Sequence, residues 1–328
     1  MVVNIRPYLF LLSLISVCGL SVNVMAQETE SLDNLVNALS DAQVACTEIS
    51  GELSELKRMA GINTAVSAVG TVGGGVALVT GIIKADKDKK VSDIIQNAIN
   101  SNKEQAKQQL YGVDRELRLV SYPTTHTENK IYIPSSKTEE VVGKVTDSVN
   151  LGKVRTGAMA VAGASNIAGA VISAENASQG DLELLIADCS GAITKLNAAA
   201  AQVRVDGSDE QGTYLSKAEA VVSKCGQIKN INMSGIINKA KGSLVSNVVG
   251  ATTGVVGAVI SALANSKKIR GDKSPDGMQT EKNLNTTSNV LAGATTVASA
   301  TSVIFNAAQI STIKKFVATV EECEEALR

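Results

Sequence analysis

The chain has 328 residues, a formal net charge of −1 and 44% hydrophobic residues, of which few are aromatic. A charge this close to neutral argues against nucleic-acid binding, which needs a basic surface, and against electrostatic steering of a charged substrate. Only four prolines and no tryptophan occur, while alanine and valine are abundant, so we predict an all-α fold packed through small side chains.

Residues 1–26 have the parts of a secretory signal peptide. Arg6 provides the positive charge, residues 8–20 are apolar, and small residues precede Gln27. We therefore expect an exported chain that begins at Gln27 after cleavage. An uncleaved anchor is the alternative, but the apolar run is shorter than the ~20 residues that cross a bilayer. Lipidation at Cys18 is a third option.

Four stretches without charged residues follow, each rich in Gly, Ala, Val, Ser and Thr. A membrane-spanning helix needs ~20 residues at a rise of about 1.5 Å each, and every stretch is about that long or longer. We expect four membrane-spanning helices. The alternative is a soluble exported bundle in which Gly and Ala faces form tight helix contacts. The stretches are residues 59–83, 156–174, 242–266 and 283–313.

Glycines in these stretches have the spacing of close helix contacts. Two pairs are four residues apart, which lets helices approach closely in lipid, and two further glycines stand in Ala-Gly-Ala segments. The predicted helix-packing residues are Gly70, Gly74, Gly163, Gly250, Gly254 and Gly293. Amides among the small residues are expected to hydrogen-bond between helices. These are Asn63, Asn166, Asn247 and Asn289.

Helices with heptad spacing flank the apolar stretches, and each contains one cysteine. In residues 32–56, 182–203, 215–228 and 313–327, apolar residues recur at steps of three and four, as in a coiled coil. An even number of cysteines in an exported chain favours disulfides over free buried thiols. The four cysteines are Cys46, Cys189, Cys225 and Cys323.

Three pairings of these cysteines are open, and spacing favours one of them. If each pair of apolar stretches forms an antiparallel hairpin, the flanking cysteines lie at similar heights, which joins Cys46 to Cys189 and Cys225 to Cys323. The second choice joins Cys189 to Cys225 and Cys46 to Cys323, because the helices on either side of residues 205–213 could also form a hairpin.

The order of elements occurs twice, which predicts an internal duplication of helical-hairpin units. Residues 69–74 resemble residues 249–254 at an offset of 180, and residues 162–168 resemble residues 292–298 at an offset of 130. The predicted division is a signal peptide (1–26), a first unit (27–204) with a polar insertion (84–155), a linker (205–213) and a second unit (214–328).

The polar insertion contains a predicted amphipathic helix, at residues 91–118 with Ser92 as N-cap, and a small β-hairpin at residues 117–133. It is either a docking module or a plain loop insertion. The single histidine, His126, lies there without the companions of a zinc site or a catalytic triad. We therefore expect no enzyme activity, no metal, no cofactor and no small-molecule substrate.

A polar excursion joins the two apolar stretches of each half, at residues 84–155 in the first half and 267–282 in the second. Lysine and arginine are more frequent at the ends of the apolar stretches next to these excursions than at their opposite ends. The positive-inside rule then places the excursions in the cytoplasm and the cysteine helices in the periplasm, with an inner-membrane location. A soluble periplasmic or secreted location is the alternative.

The chain looks like the loose class of bacterial envelope proteins with glycine-zipper helices, a likeness that implies no residue-level function. The expected function is that of a structural or interaction protein of the cell envelope, in contact with lipid and forming a homo-oligomer or binding an envelope partner. The alternatives are a pore or channel former and a soluble coiled-coil binding module.

Overall fold

A computed structural model describes residues 6–113, 135–178, 180–203, 209–271 and 274–328. No strand occurs among these residues, so the prediction of an all-α fold is confirmed for them. A 3-10 turn at Ile228–Asn230 follows the fourth of seven helices. The helices are α1 (Arg6–Val113), α2 (Ser135–Ala177), α3 (Gly180–Val203), α4 (Asp209–Cys225), α5 (Met233–Ala264), α6 (Lys267–Gly271) and α7 (Pro275–Leu327).

Two boundaries differ from the sequence prediction. Ser92 lies inside α1 and does not begin a new helix, because no proline or glycine interrupts the residues before it and Asp86 pairs with Lys90 one turn away. Helix α4 begins at Asp209, inside the predicted linker. The predicted β-hairpin at residues 117–133 and His126 lie outside the described residues.

The chain forms two compact units. Unit 1 comprises Met1–Thr64, Val171–Leu244 and Ile304–Arg328, and unit 2 comprises Ala65–Ala170 and Val245–Val303. The two halves of the predicted duplication, residues 27–204 and 214–328, each contribute to both unit 1 and unit 2. The boundaries of the compact units therefore differ from those of the duplication, which stays a prediction.

Unit 1 has a conventional apolar core. Seven of the eight heptad residues at 32–56 are buried, and Leu32 is half-buried. Buried residues of α3, α4, α5 and α7, among them Leu196, Ile236 and Ile313, belong to the same cluster. Helix α3 also packs against α4 and the 3-10 turn. Each fully buried aliphatic side chain stabilises the fold by about 1.5–3 kcal/mol relative to an exposed one.

Unit 2 is a bundle of four long helices, α1, α2, α5 and α7, with the short α6 between α5 and α7. Side-chain contacts fix the directions of the long helices. Helices α2 and α7 are parallel, because Arg155 with Ser288 and Asn166 with Ser299 keep the same separation of 133 residues. This separation differs from the offset of 130 that the sequence comparison gave for the same helices, by about one helical turn.

Helix α1 is antiparallel to α7 in unit 2. Ser67 hydrogen-bonds to Ser302, whereas Gly74, two turns later on α1, lies against Thr296, which is earlier on α7. Helices α2 and α5 are also antiparallel, because Gly163 contacts Gly254, whereas Thr156, which is earlier on α2, hydrogen-bonds to Ser261, which is later on α5. The bundle therefore consists of two parallel pairs that run in opposite directions, α1 with α5 and α2 with α7.

Candidate functional site

The outer surface of unit 2 is unusually apolar. Large aliphatic side chains are exposed on all four of its long helices, and we call this set the aliphatic surface. Val72 is 67% exposed and Val297 is also 67% exposed. The set is Val69, Val72, Val76, Val79, Ile82, Ile83, Val142, Val145, Val154, Val161, Ile167, Val245, Val248, Val249, Val255, Val256, Val259, Leu263, Val290 and Val297. Large exposed apolar surfaces are rare on soluble monomeric proteins and are typical of sites that contact membranes or other proteins.

The interior of unit 2 is largely polar, apart from a small apolar cluster of Ala77, Met159 and Ala292. We call its fully buried serine, threonine and asparagine residues the polar seam. On α1, Ser67, Gly70, Gly74, Ala77 and Gly81 recur at steps of three and four and are all buried. This is heptad spacing with small and polar residues where a soluble bundle has leucine. The seam comprises Ser67, Ser148, Asn166, Asn247, Ser261, Ser288, Thr295, Ser299 and Ser302.

Members of the polar seam hydrogen-bond to one another across helices. The Asn166 amide donates to Ser299 Oγ at 2.9 Å, and Ser299 Oγ donates back to Asn166 Oδ1 at 3.1 Å. The hydroxyl of Ser67 donates to Asn247 Oδ1 at 3.3 Å and lies 2.9 Å from Ser302 Oγ. Side-chain hydrogen bonds of this kind stabilise helix association in lipid by about 0.6–2 kcal/mol each.

Unit 1 contains a polar network of its own around Asn63. The Asn63 amide donates to Ser173 Oγ at 2.7 Å, to Asn306 Oδ1 at 3.1 Å and to Ser243 Oγ at 3.3 Å. Of the four amides singled out from the sequence, Asn63, Asn166 and Asn247 thus hydrogen-bond between helices, whereas the buried Asn289 Oδ1 has no partner.

Five of the six predicted packing glycines lie at close contacts. A Cβ placed on Gly70 would lie 3.0 Å from Ser299 Oγ, and one on Gly74 would lie 2.7 Å from Thr296 Oγ1 and 3.0 Å from its backbone nitrogen. Such distances leave no room for a larger residue unless a helix moves. This matters most at Gly74, where backbone is the obstacle.

The contact between α2 and α5 is formed by glycine against glycine. A Cβ on Gly254 would lie 2.7 Å from Gly163 Cα, and one on Gly250 would lie 2.7 Å from the Asn166 side chain. Gly293 differs, because a Cβ there would have no atom within 4 Å. The Ala-Gly-Ala sequence at Gly293 therefore does not indicate a close helix contact of that glycine.

Sequence reasoning missed two buried charges in unit 2. From the sequence, Lys84 and Arg155 were predicted to lie at the ends of apolar stretches, outside the bundle. In the structure their side chains are fully buried. The signal was the heptad spacing, since Lys84 lies three residues after Gly81 and Arg155 lies four residues before the buried Met159. Both continue the buried face of their helices.

These charges have different surroundings. Lys84 forms an ion pair with Asp88 and lies 3.9 Å from Glu281, which also lies 3.7 Å from Arg270. Arg155 instead donates hydrogen bonds to neutral oxygens of α7. Carboxylates thus pair directly with Lys84, whereas the nearest influence of that kind on Arg155 is the more distant Asp88 charge.

Both cysteine pairs of unit 1 lie at disulfide distance. The sulfurs of Cys46 and Cys189 are 1.99 Å apart with Cα atoms 4.8 Å apart, and those of Cys225 and Cys323 are 1.95 Å apart with Cα atoms 4.5 Å apart. This is the pairing that spacing favoured. All four residues are at most 1% exposed, as in structural rather than redox-active disulfides.

Four helical segments are long and apolar enough to cross a membrane. They lie within Glu30–Ile94, Glu139–Val203, Gln211–Gly271 and Asp276–Leu327, with peak mean hydropathies of 1.8, 1.4, 1.6 and 1.4. Within the described part of the chain, no group of three or more potential metal ligands comes together. No protein-family model, curated protein or solved structure matches this chain.

Proposed function

We propose that this chain is an integral membrane protein of the cell envelope, with a structural or interaction role, whose unit 2 lies in the lipid bilayer. The observation that carries the proposal is the inverted polarity of unit 2. Its large aliphatic side chains face outward while serine, threonine and asparagine side chains face inward. In water this distribution would expose the aliphatic side chains to solvent at a cost in free energy. In lipid the aliphatic side chains contact acyl chains, and the polar side chains hydrogen-bond to one another inside the bundle.

Charge placement on the four helices supports the same proposal. No charged residue occurs in the apolar stretches at 59–83, 156–174, 242–266 and 283–313. The shortest stretch, on α2, corresponds to about 28 Å of helix at 1.5 Å per residue, close to the hydrocarbon thickness of ~30 Å. Exposed charges such as Lys153 and Glu175 lie just outside it.

The two types of core suit two environments. The apolar core and two cysteine pairs of unit 1 are typical of a water-exposed exported domain, which forms its disulfides in an oxidising compartment. With the lysine and arginine bias, the positive-inside rule assigns the cysteine helices to the periplasm and the polar excursions to the cytoplasm.

The proposed structural role is supported by the hydrogen bonds and close glycine contacts inside unit 2. The seam residues hydrogen-bond to each other, and the glycines bring helix backbones together. These features hold helices in fixed positions, which fits a membrane-anchored scaffold that presents its disulfide-bonded helices to an envelope partner or to another copy.

The primary test is fractionation of the expressed full chain followed by an alkaline carbonate wash. The proposal expects the protein in the membrane pellet and extraction of that pellet by mild detergent. Release by carbonate, or a pellet that detergent does not dissolve, contradicts it. A C-terminal alkaline phosphatase fusion should be active and a matched green fluorescent protein fusion dark, because Arg328 lies on the predicted periplasmic side.

A pore is the second candidate, favoured by the hydroxyl and amide groups along the interior of unit 2. These side chains could line an aqueous path if the helices separated. Release of a small anionic dye from vesicles that contain the purified protein would support the pore, and retention of the dye at the same protein density would favour the scaffold.

A further inference from the structure

A charge without a counter-ion lies inside unit 2. Arg155 is fully buried, its Nε donates to Ser288 Oγ at 3.1 Å, and its Nη2 donates to the Asn285 carbonyl at 3.1 Å. The Nη1 atom is buried and has no hydrogen-bond partner. Both acceptors are neutral, so the guanidinium has hydrogen bonds but no direct charge compensation.

The neighbouring ion pairs supply that compensation only from a distance, since the Asp88 carboxylate attracts the Arg155 charge but already pairs with Lys84. Lys84 pairs with Asp88 and Glu281, and Arg270 pairs with Glu281. No carboxylate among the described residues lies within 4.0 Å of Arg155. The two carboxylates, Asp88 and Glu281, thus balance the two cations paired with them, Lys84 and Arg270, and the charge of Arg155 is in excess. A guanidinium does not lose its proton in proteins, so this charge must be stabilised by a partner.

Two amides beside Arg155 also have unsatisfied groups. The Oδ1 atoms of Asn285 and Asn289 are buried without partners. Asn289 Cγ and Arg155 Cδ lie 3.0 and 3.3 Å from the position that a Cβ on Gly81 would occupy, so the two side chains are neighbours. A half-turn of an amide exchanges its oxygen and nitrogen in the same volume, which would present N–H donors to an anion.

We propose that Arg155, together with Asn285 and Asn289, binds a small monovalent inorganic anion of the halide class inside unit 2. A single negative charge balances the excess, and only a small ion suits a site enclosed by packed helices. The free Nη1 and the two amides provide its hydrogen-bond donors. The helices of unit 2 enclose Arg155 whatever solvent surrounds them, so failure of this proposal would leave membrane insertion untouched.

The test is thermal melting of the detergent-purified full chain, with chloride exchanged for gluconate at constant ionic strength and followed by circular dichroism. Above the dissociation constant, each tenfold increase in chloride should raise the melting temperature by roughly 3 °C. Arg155→Gln should abolish this dependence, whereas Lys153→Gln, which removes an exposed cation from the same helix, should keep it. Equal melting of the wild type in both salts, or a chloride dependence that survives in Arg155→Gln, overturns the proposal.

Equilibrium dialysis of the wild-type protein with radioactive chloride keeps the proposal testable even if Arg155→Gln does not fold. The expected result is one bound chloride per chain that bromide displaces and gluconate does not. No bound chloride at concentrations at which chloride raises the melting temperature, or equal displacement by gluconate, contradicts a halide-sized site.

Discussion

Replacing Val72 by lysine tests whether the aliphatic surface faces lipid or water. Val72 lies near the middle of its apolar stretch, and its side chain is 67% exposed on the aliphatic surface. The matched control is Val44→Lys in unit 1, where Val44 is 66% exposed. Both changes put the same charge at the same exposure on the same helix, α1, so any difference between them reports the surrounding medium.

The expected difference is large. Lysine at the centre of a membrane-spanning helix is less favourable than valine by about 3–4 kcal/mol. Val72 lies about 18 Å along the helix from Lys84, so a lysine side chain of about 6 Å does not reach the membrane surface from there. An exposed substitution in water changes stability by about 0.5 kcal/mol or less, which is the expectation for Val44→Lys.

The assay is thermal melting in lipid nanodiscs together with the fraction of protein retained after a carbonate wash. Val72→Lys should melt about 10 °C below the wild type or fail to be retained, while Val44→Lys should stay within about 2 °C. If the two variants melt together, or if Val72→Lys makes the protein more soluble and no less stable, the aliphatic surface faces water and the membrane proposal is refuted.

Three further predictions concern packing. Gly74→Leu should abolish or strongly destabilise the fold in a melting experiment, while Gly293→Leu should be tolerated because its Cβ position is open; equal effects would contradict the contact geometry. Asn63→Leu should cost about 1–3 kcal/mol in unfolding free energy by removing the hydrogen bonds of Asn63 from a buried polar network, and a stabilised variant would refute this account. Cys46 and Cys189 should react with maleimide only when reductant and denaturant are both present, whereas labelling of the untreated native protein would show that they are not paired.

Local sequence patterns predicted the framework of unit 1 well. Heptad spacing identified the buried face of α1, and the distance of each cysteine from its apolar stretch favoured the pairing of Cys46 with Cys189 that the structure has. Both features depend on helix periodicity and element length, which are properties of the local sequence.

The candidate site in unit 2 was predicted less well, for a physical reason. Whether a charge is buried depends on which face of a helix it occupies and on what the opposite helix offers. Arg155 and Lys84 stand at the ends of apolar stretches and so looked like boundary charges, although their heptad positions place them inside. The opposite error was made for Gly293, which was predicted to lie at a helix contact but has no neighbouring atom at its Cβ position. A small residue lies at a contact only if another helix faces it.

The polarity of the two cores also sets how each unit responds to temperature. Unfolding the apolar core of unit 1 exposes aliphatic area to water, which raises the heat capacity and gives a curved stability profile with a maximum in the ordinary temperature range. The interior of unit 2 consists largely of hydroxyl, amide and glycine groups, whose exposure adds little to the heat capacity or lowers it. Calorimetry should therefore assign most of the heat-capacity increment, and with it any sensitivity to cold, to the cysteine-bearing helices.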